Sequence, residues 1–279
     1  MLQSLFLVSR PYLWIYTLGP YLLGIWIGIV VGDASFSSDA FLLLFLVTLP
    51  VNAFIYSLND WCDEDTDASN PKKDFWESRV EVGDRSSVKG SVLFWFFILS
   101  ISALYLDSLV QKLCLLWLVL VLTYNLHPWR FKGVPVLDHL LAFIYPMWGV
   151  IGYVTITHSL PTWLYLVPLC LFAFVMHQYS SIHDITFDKQ AGLNTSAVWL
   201  GSVDRNLLLC LLLSLLLALS LVVIKLPALA LVSLCYFLFF SFHYLQGEDG
   251  DSLKLYQYFV WGQYLAGLML YILLDIFYV

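Results

Sequence analysis

The chain carries Asn59-Asp60-Trp61-Cys62-Asp63-Glu64-Asp65-Thr66-Asp67 directly after an apolar run that begins near Phe41. If the helix of that run continues, Asp60, Asp63 and Asp67 are spaced i, i+3 and i+7 and share one face. Carboxylates this close repel each other unless a cation lies between them. Mg²⁺ is suited to that place because it typically binds one or two carboxylates together with substrate phosphates. The stretch therefore predicts a site for magnesium and phosphate at the C-terminal end of a membrane helix.

Cations and a second acidic pair extend this pattern. The acids are followed by Asn70-Pro71-Lys72-Lys73, and Lys72 is of the residue type that binds phosphate as a point charge. Asp184 and Asp188 stand four residues apart after a later apolar run. Two carboxylate clusters at two helix ends predict a diphosphate held between metal ions.

The composition is that of a multi-pass membrane protein. Of the 279 residues, 61% are hydrophobic and 12% are charged, whereas ordinary soluble domains carry about 25% charged residues. Apolar segments continue along the whole chain, so the first of them is not expected to be a cleaved signal peptide. The formal net charge of −7 gives no indication of nucleic-acid binding.

Nine stretches have the length of roughly 20 mostly apolar residues that a membrane-spanning helix needs. These predicted spans are residues 11–31, 40–60, 91–107, 112–127, 138–157, 162–182, 205–223, 226–244 and 254–277. The expected fold class is an all-α membrane protein with nine transmembrane helices in a single domain, 1–279.

The basic residues predict an orientation, since cytoplasmic loops carry an excess of lysine and arginine. With the N-terminus in the cytoplasm, only Lys112 and Lys225 of the thirteen basic residues fall on the opposite side. Nine spans and a cytoplasmic N-terminus agree with this count, and they put both acidic clusters on the cytoplasmic side.

The two halves of the chain resemble each other in layout. One acidic cluster ends the second span and the other ends the sixth, and each is followed by a long polar loop. This spacing predicts an approximate internal duplication, with halves at about 1–133 and 134–250 and an added ninth helix at 254–277.

Two asparagines lie on the stripe of the second span that also carries Asp63. Asn52 and Asn59 are seven residues apart, and an amide inside a membrane is costly to leave unpaired. Asn52 either binds a ligand or phosphate oxygen from inside a cavity or forms a helix–helix hydrogen bond. Its alignment with the acids favours the ligand-binding interpretation.

The fourth span closes with the basic segment Tyr124-Asn125-Leu126-His127-Pro128-Trp129-Arg130-Phe131-Lys132. The tendency of basic residues to lie on the cytoplasmic side is enough to explain cations in such a loop. For Arg130 and Lys132 we favour a role in binding phosphate.

Two histidines, His177 and His183, lie near the second acidic pair. A histidine in a helix more often packs or forms a hydrogen bond than acts as a base.

These motifs together resemble the UbiA superfamily of intramembrane prenyltransferases. The pattern N-D-x-x-D-x-x-x-D at 59–67, followed by N-P-K-K at 70–73, is similar to the first Asp-rich motif of that family. The pattern D-x-x-x-D at 184–188, followed by A-G-x-x-T at 191–195, is similar to the second. Y-x-x-x-P-x-R-x-K at 124–132 resembles the family's basic loop.

The resemblance implies a helical fold around a central cavity that is open laterally to lipid. It also implies Mg²⁺-dependent transfer of a prenyl group from a prenyl diphosphate donor to a lipophilic acceptor. The residues implied to be catalytic and metal-binding are Asp60, Asp63, Asp67, Asp184 and Asp188. The expected substrate-binding residues are Asn52, Asn59, Lys72, Tyr124, Arg130 and Lys132. The second motif departs from the usual pattern, since Ile185-Thr186-Phe187 stands where an additional acid is often found.

Within the superfamily, the sequence looks most like the lycopene elongase branch, which makes C50 carotenoids. The segments 9–20, 52–60 and 130–138 carry this likeness. Enzymes that prenylate an aromatic quinone precursor or a chlorophyllide share the Asp motifs and remain alternatives. A membrane transporter is the alternative from a different class; it predicts charges near helix centres, whereas these acids collect at one face.

Overall fold

The structure, a computed structural model, describes residues 6–32, 34–63, 85–247 and 252–278. Within these ranges all regular structure is helical. The α-helices are α1 Ile15–Gly32, α2 Ser38–Val47, α3 Leu49–Cys62, α4 Arg85–Ala103, α5 Ser108–Asn125, α6 Leu137–Leu141, α7 Met147–Thr157, α8 Leu166–Ile182, α9 Ile185–Gln190, α10 Ser196–Leu200, α11 Val203–Val223, α12 Ala230–Gln246 and α13 Ser252–Tyr278. The predicted site residues Asp67 and Lys72 lie outside the described residues.

Eight segments of the described chain are long and apolar enough to cross a membrane. A ninth is obtained if the helical segments Phe6–Leu13 and Ile15–Val30, which meet at 64°, count as one bent span. Each of the nine predicted spans overlaps one of these segments, so the prediction of an all-helical membrane fold is confirmed. The bend in the first span was not predicted.

The chain divides into two compact units. The first consists of Met1–Phe131 and Ile144–Pro161, and the second of Lys132–Phe143 and Thr162–Val279. This division begins close to the predicted boundary at 133, but the segment 144–161 packs with the first unit instead of the second. The internal duplication itself stays a prediction.

Glycines allow α1 and α7 to pack backbone to backbone in the first unit. A Cβ on Gly24 would lie 1.9 Å from the carbonyl oxygen of Gly149, and a Cβ on Gly152 would lie 2.5 Å from that of Tyr21. Small residues are the usual means of close helix approach in a membrane, where packing rather than hydrophobic burial drives association. This contact fixes α1, whose N-terminal bend carries one of the site residues described below.

Helix α3 is largely buried in the first unit and carries the first acidic cluster at its end. Almost every residue from Pro50 to Leu58 is buried, and Phe54 packs against the rings of Phe96 and Trp117. The helix ends at Cys62, so Asp60 and Asp63 lie at its last turn.

Polar and aromatic contacts hold α8 in the second unit. Gln178 donates a hydrogen bond to Asn206 of α11, and the Tyr179 hydroxyl lies 2.9 Å from His243 Nδ1 of α12. Tyr179 also packs on the ring of Phe259. These contacts fix the end of α8, where the second acidic pair begins.

Candidate active site

Asp60 forms a buried ion pair with Arg10 in the first unit. The Arg10 guanidinium lies 2.5 Å from Asp60 Oδ1, and each side chain is only 3% exposed. The same guanidinium stacks 4.6 Å above the ring of Tyr56, one turn before Asp60 on α3. The carboxylate and the cation are therefore held in one place by an ionic and an aromatic contact.

Asp63 is surrounded by donors from two elements. Arg130 donates to its Oδ1 at 3.0 Å, and Asn59 donates to its Oδ2 at 2.8 Å. Arg130 also reaches the carbonyl oxygen of Cys62 at 3.4 Å, and Asn59 reaches the side-chain oxygen of Asn125 at 3.4 Å. The end of α3 and the segment after α5 thus form one polar cluster.

Both arginines are held by unusual backbone. Arg10 has φ 48° and Arg130 has φ 37°, a left-handed region that is uncommon for residues other than glycine. Such conformations persist where the surrounding structure requires them, and they occur often at functional sites. The left-handed backbone at Arg10 and Arg130 therefore helps to direct their guanidinium groups toward Asp60 and Asp63.

The donor set at the end of α3 fits Mg²⁺. Asp60 and Asp63 offer hard carboxylate oxygens one turn apart at the end of α3. Arginine also recognises phosphate oxygens through its planar fork. The cluster therefore combines groups that bind a divalent cation with groups that bind a diphosphate.

The second acidic pair lies in the second unit, at either end of the first turn of α9. Asp184 is the residue that precedes the helix, and Asp188 accepts a hydrogen bond of 3.3 Å from the Thr195 hydroxyl. Gly192, with φ 73°, makes the turn that brings Thr195 back to Asp188. The A-G-x-x-T tail thus has a structural reason: its glycine turns the chain and its threonine orients the acid.

Asn52 is occupied by the packing of its own unit, contrary to the ligand-binding interpretation. It is fully buried, and its amide nitrogen lies 2.9 Å from the Thr17 hydroxyl, 2.8 Å from the carbonyl oxygen of Val47 and 2.7 Å from that of Thr48. The Thr17 contact joins α1 to α3, and the others satisfy carbonyls at the break between α2 and α3. The arrangement matches the helix–helix alternative, so we leave Asn52 out of the proposed site.

Tyr124 and Lys132 are the other two residues of the basic segment 124–132 that were predicted to bind substrate. Tyr124 lies half-buried in the last turn of α5. Lys132 is 7% exposed and belongs to the second unit. Their assignment to substrate binding stays a prediction.

Arg10 and Asn125 were not predicted from the sequence as site residues. Arg10 is fifty residues from Asp60 and stands just before the bend of the first span, so no local spacing connects the two. The one feature of the sequence that could have indicated Arg10 is its position next to Pro11, at the predicted start of the first span. Asn125 was inside the quoted basic segment, but the relation of its amide to Asn59 depends on the packing of α3 and α5.

A second polar cluster, which was also not predicted from the sequence, lies in the second unit and is formed by residues of α6, α8 and α10. The Asp138 carboxylate accepts hydrogen bonds from the backbone nitrogen of Ser196 at 2.7 Å and from the Ser196 hydroxyl at 2.6 Å. It also lies 3.0 Å from His139 Nδ1 and 3.6 Å from His177 Nε2. We refer to Asp138, His139, His177 and Ser196 as the histidine cluster.

One aspartate and two histidines of this cluster are close enough to hold a metal ion, with ligand atoms within 4.8 Å of one another. The hydrogen bonds, however, already engage both oxygens of Asp138 from Ser196 and His139. A metal would have to displace these donors. In the structure Asp138, His139 and Ser196 therefore form a hydrogen-bonded cluster.

Most of the chain matches a known protein family and a group of characterised relatives. The UbiA prenyltransferase family matches residues 12–263. A lycopene elongase/hydratase from Halobacterium salinarum is 37% identical over 210 residues, covering 75% of this chain and 75% of the relative. A lycopene elongase/hydratase from Haloarcula japonica is 36% identical over 201 residues, covering 72% of this chain and 68% of the relative.

Solved structures share the fold. A UbiA homolog from Archaeoglobus fulgidus bound to GPP and Mg²⁺ superposes with a TM-score of 0.73 at 20% identity, covering 97% of this chain and 99% of that one. The same homolog bound to DMAPP and Mg²⁺ gives 0.72. An apo UbiA homolog from Aeropyrum pernix K1 gives 0.65 at 19% identity, with 97% of each chain covered.

Proposed function

Because this chain belongs to the UbiA prenyltransferase family, we propose that it transfers a C5 prenyl group from dimethylallyl diphosphate to lycopene. The donor class is that of the allylic diphosphates bound to the homologs from Archaeoglobus fulgidus. The acceptor is the one named for relatives at 36–37% identity. The product would be an elongated carotenoid.

The observation that carries the proposal is the cluster at the end of α3. Two carboxylates and two arginines meet there, with Arg10 on Asp60 and Arg130 on Asp63. A diphosphate requires a positive environment that grows more favourable as negative charge develops on the leaving group. Arg130, held at a fixed position, provides part of it without reorganising during the reaction.

In this proposal Asp60, Asp63 and Asp67 hold Mg²⁺ in the first motif, and Asp184 and Asp188 hold it in the second. Bound Mg²⁺ would neutralise charge on the diphosphate oxygens and make it a better leaving group. Arg130, Lys132 and Lys72 are assigned to diphosphate binding, and Asn59 orients Asp63. Arg10 holds the Asp60 carboxylate in a fixed orientation.

We also propose that the N-terminus and both acidic motifs are cytoplasmic. The uneven division of lysines and arginines supports this orientation. Dimethylallyl diphosphate is a charged, water-soluble donor, and a cytoplasmic site would receive it directly, while the acceptor would enter from the bilayer.

A product assay tests the proposal. Purified protein in nanodiscs would be incubated with Mg²⁺ and dimethylallyl diphosphate, and with lycopene, a hydroxybenzoate, a naphthoate or a chlorophyllide as acceptor. We expect a carotenoid heavier by C5 units, detected by chromatography and mass spectrometry. Prenylation of an aromatic or chlorophyllide acceptor instead would overturn the choice of lycopene and keep the reaction type.

A further inference from the structure

We propose that His177, oriented by Asp138, is the base that receives the proton released at the end of prenyl transfer. This inference rests on the proposed function. The reaction releases a proton because the acceptor becomes a cation and must lose one to give a stable product. The carboxylates of the two acidic motifs are assigned to Mg²⁺, so a different group is needed as the base.

The balance of the step shows what the base must do. The donor C–O bond breaks and its electron pair leaves with diphosphate, while a π pair of the acceptor forms the new C–C bond. The acceptor carbon left positive then loses a proton from its neighbouring carbon, or it adds water and the proton is lost from that oxygen. In both cases one proton passes to His177, and no oxidant or reductant is required.

Asp138 is fixed as a carboxylate that points toward His177. Donors from Ser196 and His139 hold it at 2.6–3.0 Å, and its side chain is fully buried. Ser196 itself accepts a hydrogen bond of 2.8 Å from the backbone nitrogen of Val136. Val136 has φ 71°, strained for a β-branched residue, so the local backbone is held in place to position this group.

The direction of the contact identifies the basic nitrogen of His177. Its Nε2 lies 3.6 Å from Asp138 Oδ2, and a carboxylate on that side of the ring favours the neutral tautomer with hydrogen on Nε2 and the lone pair on Nδ1. When His177 takes up a proton, the buried carboxylate stabilises the imidazolium that forms. An acid that orients a histidine and stabilises its charged form is the arrangement found in catalytic triads.

His177 is also better placed than the other histidine of the cluster. Its side chain is 17% exposed, against 9% for His139. The rings of Phe174 and His177 pack against His139. A substrate therefore reaches His177 more easily.

The depth of His177 suits an apolar acceptor. The span of α8 ends at Ile182, two residues before Asp184, so Asp184 stands at the edge of the apolar layer. His177 lies five residues before the last residue of α8, Ile182, and so about 8 Å further into the span along the helix axis. The diphosphate end of the donor binds at the edge, and the hydrocarbon that becomes cationic lies deeper.

The test compares pyrophosphate released with C5 carotenoid formed, in the full-length protein with Mg²⁺, dimethylallyl diphosphate and lycopene. In His177→Gln we expect product to fall about 10²-fold or more, with pyrophosphate release falling much less because the ionisation step is intact. The ratio of pyrophosphate to product therefore rises, because water captures the allylic cation and gives an alcohol in place of the C5 carotenoid. Asp138→Asn should raise the same ratio, because it loses the charge that orients and stabilises His177.

The matched control is His243→Gln, which removes a buried histidine of the same unit that contacts the Tyr179 hydroxyl at 2.9 Å. It should lower both quantities together and keep the wild-type ratio. A His177→Gln protein with the wild-type ratio, whether or not it is less active, would overturn the proposal. Wild-type protein that forms no C5 carotenoid overturns the proposed function, and the assignment of His177 with it; that outcome is seen before any variant is measured.

Discussion

At the scale of single residues, the candidate site consists of charged side chains held in fixed positions. Asp60 and Arg10 are each 3% exposed and 2.5 Å apart, so neither can lose its partner without leaving a charge buried. Breaking a buried ion pair from one side typically costs about 3–5 kcal/mol. The pair therefore affects both stability and the direction in which Asp60 presents its oxygens.

Arg10→Ala is expected to lower the melting temperature and to reduce prenyl transfer by about 10²-fold or more. Arg10→Lys keeps the charge but not the planar fork and the ring contact with Tyr56, so an intermediate loss is expected. The measurements are thermal unfolding in detergent and the initial rate of product formation. Full activity in Arg10→Ala would show that Asp60 does not need this partner.

The residues within each motif could be predicted because their spacing is local. Asp60 and Asp63 lie one turn apart on one helix, and that relation does not depend on the rest of the fold. Arg10 and the histidine cluster could not be predicted, since their contacts join residues that are 50 and 58 positions apart in the chain. Asn52 illustrates the same dependence on the fold: its spacing matches the acids, but in the structure its amide donates a hydrogen bond to Thr17 of another helix.

At the scale of the helices, the bounds of the spans follow from apolar length, and their contacts follow from small residues. The crossing of α1 and α7 depends on glycines whose missing side chains leave room for backbone. Composition located the spans, but the identity of neighbouring helices required the structure. The same is true of the segment 144–161, which packs with the first unit.

Gly24→Ala should destabilise the protein, because its Cβ would be placed 1.9 Å from the carbonyl oxygen of Gly149. The helices must separate, and overpacking of this kind costs about 1–3 kcal/mol. Gly90→Ala is the matched control, since its Cβ meets nothing within 4 Å and alanine favours the helix. Thermal unfolding should show a lower melting temperature for Gly24→Ala alone, and equal values for both variants would contradict this helix contact.

At the scale of the whole molecule, charge distribution predicts how the protein lies in the membrane. The loop that contains Trp129 follows the fourth span, and the loop that contains Leu160 follows the fifth. Both residues are exposed, at 53% and 60%. With the N-terminus in the cytoplasm, the first lies inside the cell and the second outside.

Labelling with a membrane-impermeant maleimide tests this orientation. In a background without the five native cysteines, Leu160→Cys should be labelled in intact cells, and Trp129→Cys should be labelled only after permeabilisation. The reverse pattern would show the opposite topology and would move the acidic motifs to the outer face.

The central claim is that acidic residues use Mg²⁺ to release diphosphate during prenyl transfer, and pyrophosphate release tests it most directly. The rate would be measured with dimethylallyl diphosphate and lycopene while Mg²⁺ is titrated into chelator-treated protein. Wild type and Asp60→Asn would be compared, with Asp204→Asn as a control for loss of an exposed acid. We predict release that depends on Mg²⁺, falls by about 10²-fold or more in Asp60→Asn and is unchanged in Asp204→Asn. Release that is independent of Mg²⁺, or equal in wild type and Asp60→Asn, would contradict the account.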